Sequence, residues 1–274
     1  MDLNSVHQIS QVNGCGLNTE EFSGLEVAMV QRRLQENLNG KMWFWGKIFG
    51  TTQDYLIVHH IDPYAEFPEK KFYFCTTSDF VLRAAPHISE DYENQASKIR
   101  IAFTGDPSFF AYNGEEEEPE PEDPDAPPVE RFREVHRLTY TVKKIDRECA
   151  IVPRGAMSLD TGKKVIPNTN FNGLSYETST ELRAYMHLRM PQGLQGIALM
   201  QRPGILKTDD FLDCLDKDQP KEMWAVTHDN QGSTVHIRSL YWDGFSFYHP
   251  LKTSEYGCAY FGNGVPNYDI AFML

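Results

Sequence analysis

Apolar positions change their spacing several times along this chain, and each change predicts a different element. Residues 1–17 are mostly polar, carry Gly14 and Gly16, and read as a loose arm. Asn18-Thr19-Glu20-Glu21 then suits a capping box, in which Asn18 accepts from first-turn amides and Glu21 reaches back. Phe22, Leu25, Met29, Val30, Leu34 and Leu38 follow at near-helical spacing, and Asn39-Gly40 suits a C-cap. A helix is predicted over about 19–39.

The spacing then turns to that of strands. Met42–Gly50 and Asp54–His59 are rich in aromatic and β-branched residues and predict a hairpin. Phe72–Thr76 and Ile99–Phe103 predict two further strands. Phe132, Val135, Leu138, Val142, Ile145 and Cys149 fit a helix, whereas Leu138, Tyr140 and Val142 fit a strand. Thr139, Thr141 and Val142 weaken the helical option. Ala150–Pro153 reads as a strand ended by proline, and Ser175–Leu188 as a second helix. Thr208-Asp209-Asp210 caps a short third helix running to about Leu215.

Met223–His228, Thr234–Tyr241, Phe245–His249 and Gly257–Phe261 predict a C-terminal antiparallel meander. Its clearest turn is Asp243-Gly244, since a tight hairpin turn needs positive φ. The fold class expected is α+β: a largely antiparallel sheet with a few peripheral helices. The predicted organisation is an arm (1–18), a helix-plus-hairpin region (19–112), an acidic loop (113–130) and a helix-plus-meander region (131–274). The second and fourth are expected to form one composite domain.

Composition sharpens this picture at one place. The 274 residues are 41% hydrophobic and 24% charged, which is globular, and the formal charge is −13. Glu115–Glu130 holds nine acidic residues, five prolines and no Lys or Arg; without it the charge is −4. Like charges and few apolar side chains predict a mobile insertion there. No basic stripe exists to displace phosphate counterions, so neither nucleic acid nor an anionic membrane is an expected partner. The longest apolar run is five residues, and the N-terminus shows no signal-like h-region. Five cysteines, at least 44 residues apart, suit a reducing compartment rather than a disulfide framework or a Cys-x-x-Cys zinc site.

Catalytic chemistry leaves few traces. There is no Gly-x-Ser-x-Gly elbow, and Thr104-Gly105-Asp106-Pro107 reads as a turn rather than a phosphate loop. His59 and His60 alternate across a strand. His228, His236 and His249 lie in the meander without a carboxylate or cysteine at ligand spacing, so no metal or cofactor is expected. The acidic loop lacks EF-hand spacing, leaving at most weak calcium binding. The aromatics offer more. Trp43, Trp45, Trp224, Tyr241, Trp242, Phe245, Phe247 and Tyr248 are candidate protein-interface residues: large rings on both faces of a strand imply a second layer or a second chain.

Several segments, taken in order, resemble the radial spoke head protein 9 family of cilia and flagella. They are Trp43–Gly50 with Asp54-Tyr55-Leu56-Ile57; Phe103-Thr104-Gly105-Asp106-Pro107-Ser108; Ile151–Ala156; and His187–Pro191. Phe211-Leu212-Asp213 with Pro220-Lys221, Leu240–His249, and Tyr256–Gly262 with Phe272-Met273-Leu274 complete the set. The resemblance spans about residues 19–274. It implies a non-enzymatic axonemal subunit that packs against other radial spoke head proteins, especially of the spoke 4/6 type. It also implies help in passing transient central-pair contacts to dynein regulation. The arm and the acidic insertion depart from the family pattern. The alternative is a soluble β-rich enzyme or ligand-binding domain, which would need His228, His236 or His249 gathered with a carboxylate in a deep pocket.

Overall fold

A computed structural model describes residues 1–62, 65, 67–110, 131–162, 164–192 and 211–273. The expected acidic loop and the Thr208-Asp209-Asp210 cap lie outside the described residues. The elements that carry the architecture are helices α1 (Val6–Asn13), α2 (Thr19–Gln35), α3 (Glu90–Lys98) and α4 (Glu134–Cys149), and strands β1 (Met42–Ile48), β2 (Tyr55–Asp62), β3 (Glu69–Thr76) and β4 (Arg83–Ala84). Short strands β5 (Ile151–Pro153), β6 (Met157–Leu159), β7 (Val165–Pro167) and β8 (Tyr185–His187) follow, with the four-residue helix α5 (Tyr176–Ser179) before β8. The chain closes with β9 (Trp224–His228), β10 (Thr234–Ser239), β11 (Phe245–Pro250), β12 (Gly257–Gly262) and the short α6 (Ile270–Met273).

Eight strands form one mixed sheet in the order β4-β3-β2-β1-β12-β11-β10-β9. It is two antiparallel meanders joined at the centre by a parallel pair, with Gly46 opposite Tyr260 and Ile48 opposite Gly262. The join requires Gly46, because a Cβ there would lie 2.3 Å from the Tyr260 carbonyl oxygen. The fold class is α+β, as the alternation of patterns predicts.

Both sheet faces are covered. Tyr55, Ile57, Phe72 and Phe74 point to one face, where they meet Leu138, Val142, Ile145 and Cys149 of α4. Leu56, Val58, Tyr73 and Cys75 point to the other, against Leu3, Val6 and Ile9 at the N-terminus and Leu25 and Ala28 of α2. A bulge in β1 decides which residues go where. Phe44 pairs with Val58 and Gly46 with Ile57, so Trp45 is an extra residue in the strand. Trp45 and Ile48 therefore both face α4, although they are three apart, and Lys47 is turned to the α2 face.

Four expectations change on folding, and one open alternative is settled. The polar N-terminal segment is not a loose arm: α1 forms there and Ile9 is fully buried. The α2 helix stops at Gln35 rather than near 39, although its capping box is as predicted, with Glu21 N–H donating to Asn18 Oδ1 at 2.8 Å. The ambiguous 132–149 segment is helix, because a 16-residue stripe at period 3.6 outweighs local β preference. Thr139 settles its hydroxyl on the Val135 carbonyl, 2.8 Å away. Residues 99–103 make only one bridge among the described residues, Gly50 to Phe103, and the Ile101 and Ala102 carbonyls accept from Arg137 of α4 instead of a strand. Within 175–188 only α5 is α-helical; β8 pairs with β5 instead.

The meander is as predicted except at Asp243-Gly244. There the connection widens, β10 ends at Ser239, and Trp242 turns in towards α4. Gly244 has φ +97°.

Candidate interaction surface

Six of the eight candidate interface aromatics lie within the chain's own layers. Trp45, Trp224, Trp242, Phe245 and Phe247 belong to the α4-side core, and Tyr248 to the opposite one. Three tryptophans also satisfy their indole N–H internally, which a buried indole requires. Trp45 donates to Asp146 at 3.0 Å, Trp242 to Glu148 at 2.6 Å and Trp224 to Asp218 at 2.8 Å. Two of these acceptors sit in the last turn of α4, so that helix is held to the sheet by polar as well as apolar contacts. Only Trp43 and Tyr241 are part-exposed. Trp43 lies under the Lys41 ammonium, 6.0 Å from its ring, and Tyr241 packs edge-on against Trp242.

Among the described residues, α2 carries one group of exposed apolar side chains. Its inward stripe is Leu25 and Ala28, with Phe22 and Met29 partly buried. On the opposite side of the same helix, Val27, Val30 and Leu34 are 56%, 47% and 66% exposed. Their i, i+3, i+7 spacing makes them a single stripe. Gly24 lets the Phe80 side chain lie against the helix; an added Cβ would come within 2.7 Å of that ring.

Charged groups fix how α2 meets the sheet. Lys47 Nζ donates to Glu21 Oε1 at 2.7 Å and lies 2.9 Å from Asp54 Oδ2. Burial lowers the Lys47 pKa, but the hydrogen bonds to Glu21 and Asp54 outweigh it and leave the value raised. At the other helix, Glu134 is wholly buried in the first turn of α4. Its carboxylate accepts from Tyr55 Oη at 2.8 Å, Thr104 N at 2.9 Å and Gly105 N at 2.8 Å. Arg137, one turn on, donates to the Ile101 and Ala102 carbonyls and stacks 4.0 Å from the Phe103 ring centre. The Thr104-Gly105-Asp106-Pro107 turn is thus a clasp for α4.

The meander histidines are dispersed by register. His228 and His249 both pair with Val235 and so share its face, while the next residue, His236, points to the other. His228 Nε2 contacts Ser179 Oγ at 2.9 Å. His249 Nδ1 donates to the Glu255 carbonyl at 2.6 Å while its Nε2 accepts from Leu174 N at 3.1 Å. No group of three His, Cys, Asp or Glu side chains among the described residues is placed to hold a metal. Burial pushes the Cys75 thiol up to about 12 and raises Cys149 and Cys258 as well, away from the reactive thiolate.

One polar constellation had no signal in the sequence. His187, almost fully buried, contacts both Asp218 carboxylate oxygens at 2.8 and 2.9 Å. Burial raises the Asp218 pKa, but the His187 hydrogen bond and charge more than reverse that and hold it below the usual carboxylate value. The pair joins the last residue of β8 to the segment before β9, 31 positions apart, which no local pattern could indicate. Among the described residues no helix is long and apolar enough to cross a membrane.

Comparison with known proteins gives this surface a context. The radial spokehead-like protein family model matches residues 1–71, which hold α1, α2, β1 and β2. Over the whole chain, the radial spoke head protein 9 homolog of Danio rerio is 31% identical across 284 residues, covering all of both chains. The homologs of Homo sapiens and Bos taurus are each 29% identical, over 97% of this chain and 96% of theirs. The chain belongs to the radial spoke head protein 9 family, and with it to the radial spokes of the ciliary and flagellar axoneme, a cytoskeletal structure.

Proposed function

We propose that this protein is a non-catalytic structural subunit of the axonemal radial spoke head, packed against other head proteins, especially one of the spoke 4/6 type. In that place it helps carry central-pair contacts towards dynein control. The observation that carries the reading is end-to-end similarity to spoke head relatives, combined with a helix that leaves three of its seven apolar residues exposed. Val27, Val30 and Leu34 are the chief contact surface. Stable subunit interfaces are large and apolar at their centres, so an uncovered aliphatic stripe of this kind is what a permanent neighbour would bury.

Co-expression with a spoke 4/6-type head protein, followed by size-exclusion chromatography with light scattering, tests the proposal. The expected result is a stable complex of defined mass, with the lone chain self-associating or aggregating. A clean monomer indifferent to that partner would overturn it.

A further inference from the structure

Beyond the α2 stripe, the opposite side of the molecule carries a groove of a different chemistry. It runs between β3, the C-terminal half of α4 and the segment just after β8, and encloses about 460 Å³. Phe72, Leu188 and Met190 give it apolar walls, and Lys70, Lys143, Arg147 and Arg189 surround them. In a chain of net charge −13 this concentration of cations stands out.

The charges are unevenly matched. The groove's acids are Glu69 and Asp146. Asp146 is already taken up by Lys70 at 2.6 Å and by the Trp45 indole at 3.0 Å. Lys143 and Arg147 are a helical turn apart and are the two exposed positions of α4; neither joins an ion pair among the described residues. Arg189 has a carboxylate only at 3.9 Å, from Asp213, and its buried Nε–H finds no acceptor among the described residues. The guanidinium is therefore only weakly neutralised by the fold, and a ligand carboxylate that meets its accessible N–H groups would complete the pairing.

We infer that this groove is a docking site for an acidic segment of a neighbouring protein, one that sets carboxylates on Lys143, Arg147 and Arg189 and lays an apolar side chain between Leu188 and Phe72. The apolar walls and the acids within the rim favour a short mixed segment over nucleic acid, whose unbroken phosphate charge would meet Glu69 and the acidic remainder of the chain. The inference rests on the scaffold reading only for the identity of the neighbour as another spoke subunit; the groove's own chemistry stands apart from it.

The test uses the full chain and fluorescein-labelled peptides of about a dozen residues. One is built from Glu and Leu, one from Glu alone and one from Lys and Leu, with fluorescence anisotropy measured across a salt series. The Glu/Leu peptide binds, weakens as salt rises, and loses about tenfold or more in affinity with K143E/R147E. K143R/R147K keeps binding within a fewfold of the original, and circular dichroism confirms that both variants are folded. Equal binding of the reversed-charge variant would overturn the inference. So would a Glu-only peptide or a single-stranded DNA oligonucleotide binding as tightly as the Glu/Leu peptide. Complex formation with the spoke 4/6-type protein is scored separately: a complex without peptide binding defeats the groove alone, and peptide binding without a complex defeats the scaffold reading alone.

Discussion

On one face of the central sheet, α4 uses almost every side it has. Leu138, Val142, Ile145 and Cys149 enter the core, while Glu134, His136, Arg137, Thr139 and Thr141 are buried as well, against the rest of the chain. On the other face, α2 is one residue longer and buries only Glu21, Leu25 and Ala28 completely. It leaves Val27, Val30 and Leu34 outside. The two helices thus divide their labour. The α4 helix is an internal spine that offers the surroundings only charge, at Lys143 and Arg147. The α2 helix is an outer layer with a second apolar side that its own fold does not use. A helix that is apolar on two sides is the sequence form of an element meant to lie between two layers.

The sharpest way to break this comparison is to remove what fixes α4. Glu134→Ala removes the acceptor shared by the Tyr55 hydroxyl and the Thr104 and Gly105 amides, and should cost about 3–5 kcal/mol in urea unfolding. A cost below about 1 kcal/mol would mean that α4 is held by apolar packing alone. The corresponding lesion beneath α2 is Lys47→Met, which leaves Glu21 and Asp54 without their cation. It should cost about 2–4 kcal/mol, less than Glu134→Ala because Asp54 is 27% exposed and can rehydrate. The double change Lys47→Met with Glu21→Leu should recover more than half of that loss; no recovery would show that the pair is not the coupling between α2 and the sheet.

Acid should loosen the α4 face. Burial holds His59 well below the usual histidine value, and holds His249 and His236 below it too. As pH falls below about 6.5 the unfolded chain takes up protons that the folded chain refuses. Stability therefore falls on acidification, by up to about 1.4 kcal/mol per pH unit for each such histidine, and is complete above that range. His249 shows why, since a proton on Nε2 would confront the Leu174 N–H it now accepts. His59 and His249 both lie on the α4 side of the sheet, so the protection of α4 amides against hydrogen exchange should fall between pH 7 and pH 5. Unchanged protection would place the sensitive groups elsewhere.

The smallest effect on stability is expected on the outer side of α2. Replacing Val27, Val30 and Leu34 together by Ser should change unfolding free energy by under about 1.5 kcal/mol, mostly through helix propensity. A much larger loss would mean that the stripe serves this chain's own fold.

The sequence made some of this contrast legible and hid the rest. The capping box at Asn18–Glu21, the β1–β2 hairpin and the C-terminal meander rest on local rules, and they formed as expected. The parallel join of β1 to β12 links residues more than 200 positions apart, beyond any local pattern. The α1 helix was hidden because its two buried residues, Val6 and Ile9, gain burial only from the sheet beneath them. Periodicity marked Val30 and Leu34 as helical apolar positions, but it could not tell which of two stripes would meet the core. The candidate aromatics show the same limit from the other side. Trp45, Trp224 and Trp242 were visible as large rings, whereas Asp146, Asp218 and Glu148, which hold their indoles inside, come from distant or unmarked positions.

The claim that α2 presents the surface by which this subunit joins its neighbours is tested most directly by purifying the V27S/V30S/L34S variant with a co-expressed spoke 4/6-type head protein. Light scattering across the chromatogram reads the outcome. The account predicts that the native chain co-elutes with its partner in one complex and that the variant, with an unfolding midpoint close to native, elutes apart from it. A variant that forms the complex at native stoichiometry would contradict the claim.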